Sequence, residues 1–142
     1  MEIACGKLSG DEYLRAIAQI IEFLRTAGFR DVLVAYGFGC DFPDEQLYQD
    51  VIMPLGRLDG FIAESEAANY YRAARNDLHV KDHSGRAEFL FCHEADIHFI
   101  TQDAVLFEQL KALWVANGYK GIYEKHRADW QAVGSTENES NP

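Results

Sequence analysis

Four of the chain's five histidines, His79, His83, His93 and His98, fall within residues 79–98, with Cys92, Glu94 and Asp96 among them. Imidazole, thiol and carboxylate groups bind metals and move protons, so two chemistries are open to this stretch. The first is a metal site. His93-Glu94 followed by His98 has the letters of a metalloprotease pattern but not its spacing, because that motif sets its histidines four apart on a helix so that both reach one ion. Here the gap is five and the local pattern is that of a strand. His79 and His98 share a sheet face but lie on non-adjacent strands, roughly 10 Å apart at ~4.8 Å per strand. They can share a small ligand, but not a zinc ion without distortion. No metal and no cofactor is expected.

The second chemistry is nucleophilic catalysis, which needs a thiol or hydroxyl beside a base that a third group holds. Cys92, His98 and Asp96 share a face, so a thiol–imidazole pair is conceivable. However, Leu90 and Phe91 flank the thiol and no oxyanion-hole loop is recognisable. Those features favour a small residue at a strand end, and no catalytic residue is expected. Gly37-Phe38-Gly39 occupies the position of a phosphate loop, after a strand and before a helix. It lacks the third glycine and the P-loop lysine, and Asp41, Asp44 and Glu45 would repel a phosphate.

What remains is a face rather than a motif. Alternation along residues 77–101 puts Leu78, Val80, Phe89, Phe91, Ile97 and Phe99 on one side, toward a core. The other side interleaves Leu90, Cys92 and Ile100 with His79, Lys81, Glu88, Asp96 and His98. A solvent face should be mostly polar. This one is therefore either covered by helices, the favoured outcome, or it walls a pocket. In the pocket reading, His79, Glu88, Cys92, Asp96 and His98 are the candidate residues of a small-molecule binder or enzyme.

Charge supplies a second candidate surface. With 13 basic and 23 acidic residues the chain carries −10, which disfavours nucleic acid and an anionic membrane, whose binding rests on Lys and Arg. Residues 41–66 hold Asp41, Asp44, Glu45, Asp50, Asp59, Glu64 and Glu66 against Arg57 alone, a local charge of −6. Phe42, Tyr48 and Phe61 lie among them, and aromatic anchors amid charge are typical of protein recognition sites. Asp41, Asp44, Glu45, Tyr48, Asp50, Asp59, Glu64 and Glu66 are the candidate contacts for a basic protein partner. A solvated helix and loop is the plainer alternative.

The elements that must position these residues begin with a helix. Ser9-Gly10-Asp11-Glu12 is a capping box, followed by Leu14, Ile17, Ile21 and Leu24 at helical spacing, with Gly28 as the stop. Residues 32–36 form a short apolar run that reads as a buried strand. A second helix is expected from Asp41 to Pro54, with Leu47 and Val51 on its stripe, and a third over 63–75. Three antiparallel strands are expected at 77–81, 86–92 and 96–101. A four-residue turn pairs Lys81 with Arg86 and Leu78 with Phe89. The second turn must be odd in length to pair Phe91 with Ile97, and it lacks glycine, so it should be strained. Asp103 caps a further helix carrying Leu106, Leu110, Leu113 and Trp114. A last helix is expected over 122–133.

The predicted fold class is α+β: a single-domain sandwich, residues 1–134, of a mainly antiparallel sheet (one early strand plus a three-stranded meander) packed with about five helices. Residues 135–142 read as a disordered polar tail. Cys5, Cys40 and Cys92 are odd in number and far apart. With no C-x-x-C and no apolar leader, they suggest a reducing cytosol. In general character the chain is similar to toxin-neutralising immunity proteins and accessory products of bacterial mobile elements, a likeness of class that rests on no motif. The leading expectation is a non-enzymatic protein-binding module. Self-association is a further option.

Overall fold

The computed structural model describes residues 1–125. In chain order the elements are β1 (Glu2–Cys5), α1 (Gly10–Thr26), β2 (Asp31–Tyr36), β3 (Val51–Pro54), α2 (Leu58–Ala67), β4 (Leu78–Asp82), β5 (Ala87–Phe91), β6 (Ile97–Thr101), α3 (Ala104–Ala116) and β7 (Tyr123–Lys125). The strands form one sheet in the order β3-β2-β4-β5-β6-β1-β7, and every neighbouring pair is antiparallel.

Ile3 and Cys5 of β1, Val32 and Val34 of β2, Leu78 and Val80 of β4, Phe89 and Phe91 of β5, and Ile97 and Phe99 of β6 make one apolar face. The rings of Phe89 and Phe99 stack with centroids 4.5 Å apart. All three α-helices bury their stripes against this face: Tyr13, Ile17, Ile20 and Leu24 of α1, Leu58 and Ile62 of α2, and Leu106, Leu110 and Trp114 of α3. Each fully buried large side chain contributes roughly 1.5–3 kcal/mol by leaving water. The helix starts follow from their caps. Ser9 Oγ accepts from the Glu12 N–H while Glu12 Oε1 accepts from the Ser9 N–H. Asp103 Oδ1 accepts from the N–H groups of Val105 and Leu106. No helix among the described residues is long and apolar enough to cross a membrane.

The architecture corrects the expected one. In place of one early strand, a three-stranded meander and about five helices, the described residues hold seven antiparallel strands and three α-helices. Four residues of β1 are too few to carry an alternation signal, yet they pair along their whole length with β6. The expected second helix is absent. Residues Asp44–Gln46 make one 3-10 turn, and Val51–Pro54 is a strand paired with β2. Leu47 and Val51 have helical spacing, but Tyr48 between them sits at φ 62°, which breaks any helix there. The third helix runs over Leu58–Ala67 rather than 63–75, and Asn69 at φ 60° ends the chain's helical path just after it. Tyr123–Lys125 is a strand against β1 where a last helix was expected; the rest of that segment and the 135–142 tail lie outside the described residues. On α1, Leu14 is 49% exposed, because Tyr13, Ile17, Ile20 and Leu24 define the stripe and Leu14 lies one step round from it.

Within the meander the faces are as the alternation requires, but the first register differs. Lys81 pairs with Glu88 and Leu78 with Phe91, two residues from the expected pairing. Asp82 is drawn into β4, and its carboxylate accepts from Ser84 Oγ and from the Arg86 N–H, closing the loop at 83–86. A shift of two leaves every side chain on its own face. The second hairpin pairs Phe91 with Ile97 and Phe89 with Phe99, as expected for an odd turn. Its Ala95 holds φ 64°, the position that usually needs glycine.

Candidate functional site

All three α-helices lie on the apolar face, so among the described residues none packs on the opposite face. The expected covering by helices is not found there. Cross-strand pairing arranges the side chains of that outer face in rows. One row runs Ala35, His79, Leu90, His98, Ala4 and Tyr123. The next holds Lys81, Glu88, Ile100 and Glu2. At the sheet end nearest the second hairpin, Asp77, Cys92 and Asp96 lie side by side, with Cys92 donating its backbone N–H to the Asp96 carbonyl. The five expected pocket residues therefore do share one face. His79 and His98 stand on non-adjacent strands, with Leu90 between them.

Polar contacts tie the end row together. His98 Nδ1 lies 2.7 Å from Glu2 Oε1, and its Nε2 lies 3.1 Å from Asp96 Oδ2. Asp77 Oδ1 is 2.7 Å from His93 Nδ1 and accepts the His93 backbone N–H at 2.7 Å. Cys92 Sγ is 3.8 Å from His93 Nδ1. His79 Nδ1 stands 4.0 Å from Glu88 Oε1, diagonally across β4 and β5. On this face two buried atoms, His79 Nε2 and Asp96 Oδ1, have no hydrogen-bond partner among the described residues. Burial pushes the Cys92 thiol up to about 12, and the Asp96 and Asp77 carboxylates add to this against one opposing backbone hydrogen bond. A thiol so held is protonated at neutral pH and is no nucleophile on its own.

Two members of this cluster were invisible in the sequence. Glu2 belongs to a strand too short to recognise. Asp77 reaches His93 only because the turn between Cys92 and Asp96 bends back beside β4. Phe38 completes that corner, its ring 4.5 Å from that of His93.

The acidic segment wraps the β3 edge. Asp41, Asp44, Glu45 and Asp59 are exposed. Asp50 pairs with Lys81 at 3.6 Å and Glu64 with Arg57 at 3.3 Å, while Glu66 accepts the Ala73 N–H. Beside these acids opens a groove of about 490 Å³, walled by the rings of Tyr36, Phe42, Phe61 and Tyr70 with Gln46 and Gln49 at its mouth. Tyr36 packs on Phe42 at 4.9 Å and on Phe61 at 5.5 Å, and Phe42 meets Tyr70 edge-on at 5.0 Å. Tyr36 and Tyr70 join Phe42 and Phe61 here, although they lie in other parts of the sequence.

No protein-family model matches the chain, and no curated protein or solved structure is similar enough to match it.

Proposed function

We propose that the chain is a non-enzymatic protein-binding module that engages a basic segment of its partner through the acid-flanked aromatic groove at the β2–β3 edge. One observation carries this reading: four aromatic rings, two of them from the acidic segment, wall a groove beside it, and among the described residues no Lys or Arg lines that groove. Aromatic faces attract Lys ammonium and Arg guanidinium groups, by ~0.5–2 kcal/mol depending on desolvation. The exposed carboxylates of Asp41, Asp44 and Glu45 would steer such a partner and make its association salt-sensitive. A basic toxin held by an immunity-type protein, or a basic component of a mobile element, has the required chemistry.

The test uses Arg-rich, Lys-rich and Glu-rich peptides of equal length, titrated by NMR. The basic peptides should shift the ring resonances of Tyr36, Phe42 and Tyr70 and lose affinity as salt rises. The Glu-rich peptide should do neither. Equal binding of the basic peptides by a variant carrying Asp44→Lys, Glu45→Lys and Asp50→Lys would sink the proposal.

A second reading, a small-molecule binder or enzyme using the outer face, is favoured by the convergence of Cys92, Asp96 and His98 on one spot.

A further inference from the structure

The hydrogen-bond arithmetic around His98 does not close with a neutral imidazole. Its Nδ1 stands 2.7 Å from Glu2 Oε1, so Nδ1 carries the hydrogen that this contact needs. A neutral ring then has only a lone pair at Nε2, and Nε2 faces Asp96 Oδ2 at 3.1 Å. A lone pair and a carboxylate oxygen repel each other unless a proton or a metal ion lies between them. The second oxygen of the same carboxylate, Asp96 Oδ1, is buried without a partner. A third potential ligand faces the gap: Cys92 Sγ, Asp96 and His98 offer ligand atoms that all lie within 4.8 Å of one another. Around a tetrahedral zinc ion, ligand atoms roughly 2.0–2.3 Å from the metal stand about 3.3–3.6 Å apart, so small side-chain rotations close the set.

The neighbouring group, Asp77, Cys92 and His93, shares the same thiol but has no such deficit. There Asp77 Oδ1 receives the His93 backbone N–H and faces His93 Nδ1, a contact that closes with a hydrogen on that nitrogen. Nothing in that pair calls for a cation.

We infer that the outer face carries a site for one zinc-class divalent ion, bound by Cys92 Sγ, the Asp96 carboxylate and His98 Nε2. Glu2 holds the opposite nitrogen of His98 and so fixes the ring's orientation, the usual carboxylate–histidine–metal arrangement. Three protein ligands leave a fourth position for water or a ligand. This site stands apart from the protein-binding groove, and neither reading depends on the other.

The full chain, stripped with chelator, is titrated with zinc alone by calorimetry and with cobalt(II) alone by absorption. One equivalent should bind, and the cobalt form should show a thiolate-to-metal charge-transfer band together with tetrahedral visible bands. Cys92→Ser should abolish the charge-transfer band, and His98→Gln should weaken zinc at least tenfold. Glu2→Gln should weaken it roughly 10–100-fold. His93→Gln and Cys40→Ser should leave affinity unchanged. If the parent chain gives no thiolate–cobalt band, a proton fills the gap and the site is refuted; this measurement needs no variant to fold. An affinity loss in His93→Gln equal to that in His98→Gln would refute it as well.

Discussion

The ring of Tyr48 rests against that of His79, with centroids 5.8 Å apart. Tyr48 belongs to the acidic segment and His79 to the outer face of the sheet, so the two candidate surfaces meet at this contact. The backbone makes the meeting possible. Tyr48 turns into the left-handed region and donates its N–H to the Tyr36 carbonyl at 2.7 Å, which hooks the segment over the end of β2. The groove lies on one side of that hook and the histidine face on the other.

The groove's contribution can be separated from its charge. Phe42→Ala removes a wall while leaving every acid in place. It should weaken a Lys- or Arg-rich peptide about tenfold, or ~1.4 kcal/mol. Tyr70→Phe keeps the ring and should bind as the parent does. Calorimetric titration of the three proteins with one peptide reads the difference. Unaltered affinity in Phe42→Ala would leave only diffuse electrostatics.

Left-handed backbone without glycine offers a stability test. Ala95 holds φ 64° at the tip of the β5–β6 hairpin, where its N–H reaches the Cys92 carbonyl and its carbonyl accepts from Leu8. A non-glycine residue there costs roughly 1–2 kcal/mol. Glycine removes that cost and returns part of it as unfolded-state entropy. Ala95→Gly should therefore gain up to about 1 kcal/mol in urea unfolding at unchanged m-value. A loss of stability would mean that the Ala95 methyl packs better than its surroundings suggest.

The sequence made some of this legible and hid the rest for physical reasons. Ser9 with Glu12, and Asp103 before its stripe, announce helix starts because a cap is a local hydrogen bond written in three or four residues. The odd turn after Cys92 was legible because only one parity puts Phe89 against Phe99. The first hairpin's register was not, because a shift of two residues preserves both faces. Whether it occurs depends on whether Asp82 closes the loop through Ser84 and Arg86. Strands β1, β3 and β7 are three or four residues long and gain their identity from partners far away in sequence. Glu2 therefore could not be linked to His98, nor Tyr36 and Tyr70 to Phe42.

Buried thiols make stability fall at alkaline pH. Burial pushes Cys5 up to about 12, with the Asp96 charge adding to it, and raises Cys40 as well. Burial also raises the phenols of Tyr13 and Tyr71. Above pH ~9 the unfolded chain gives up thiol protons that the folded chain keeps. The unfolded state then binds fewer protons, so unfolding free energy decreases as pH rises from about 9 toward 12. The urea midpoint should drop over that window, with a shallower slope in Cys5→Ala. At pH ~8 iodoacetamide should label the native chain far more slowly than the urea-unfolded chain. A midpoint that does not move with pH would contradict the burial of Cys5.

Two glycines hold the end row together by what they lack. A Cβ built on Gly6 would stand 2.5 Å from Asp96 Cβ and 2.8 Å from Asp96 Cα. Neither atom can move without shifting the strand, so Gly6→Ala should act as overpacking and cost about 1–3 kcal/mol. At Gly37 a Cβ would meet His79 Nε2 at 2.9 Å and Asp77 Cβ at 3.0 Å. The imidazole there can swing aside, so Gly37→Ala should cost less but displace His79, shifting its ring signals in the NMR spectrum. Gly10, at the start of α1, has nothing within 4 Å of a built Cβ. Gly10→Ala should be neutral or slightly stabilising, since alanine is the better helix former. Thermal melts of the three variants should rank Gly6→Ala lowest and Gly10→Ala highest. Gly6→Ala melting level with the parent would mean that strand β1 does not lie this close to Asp96, and the His98–Glu2 contact would fall with it.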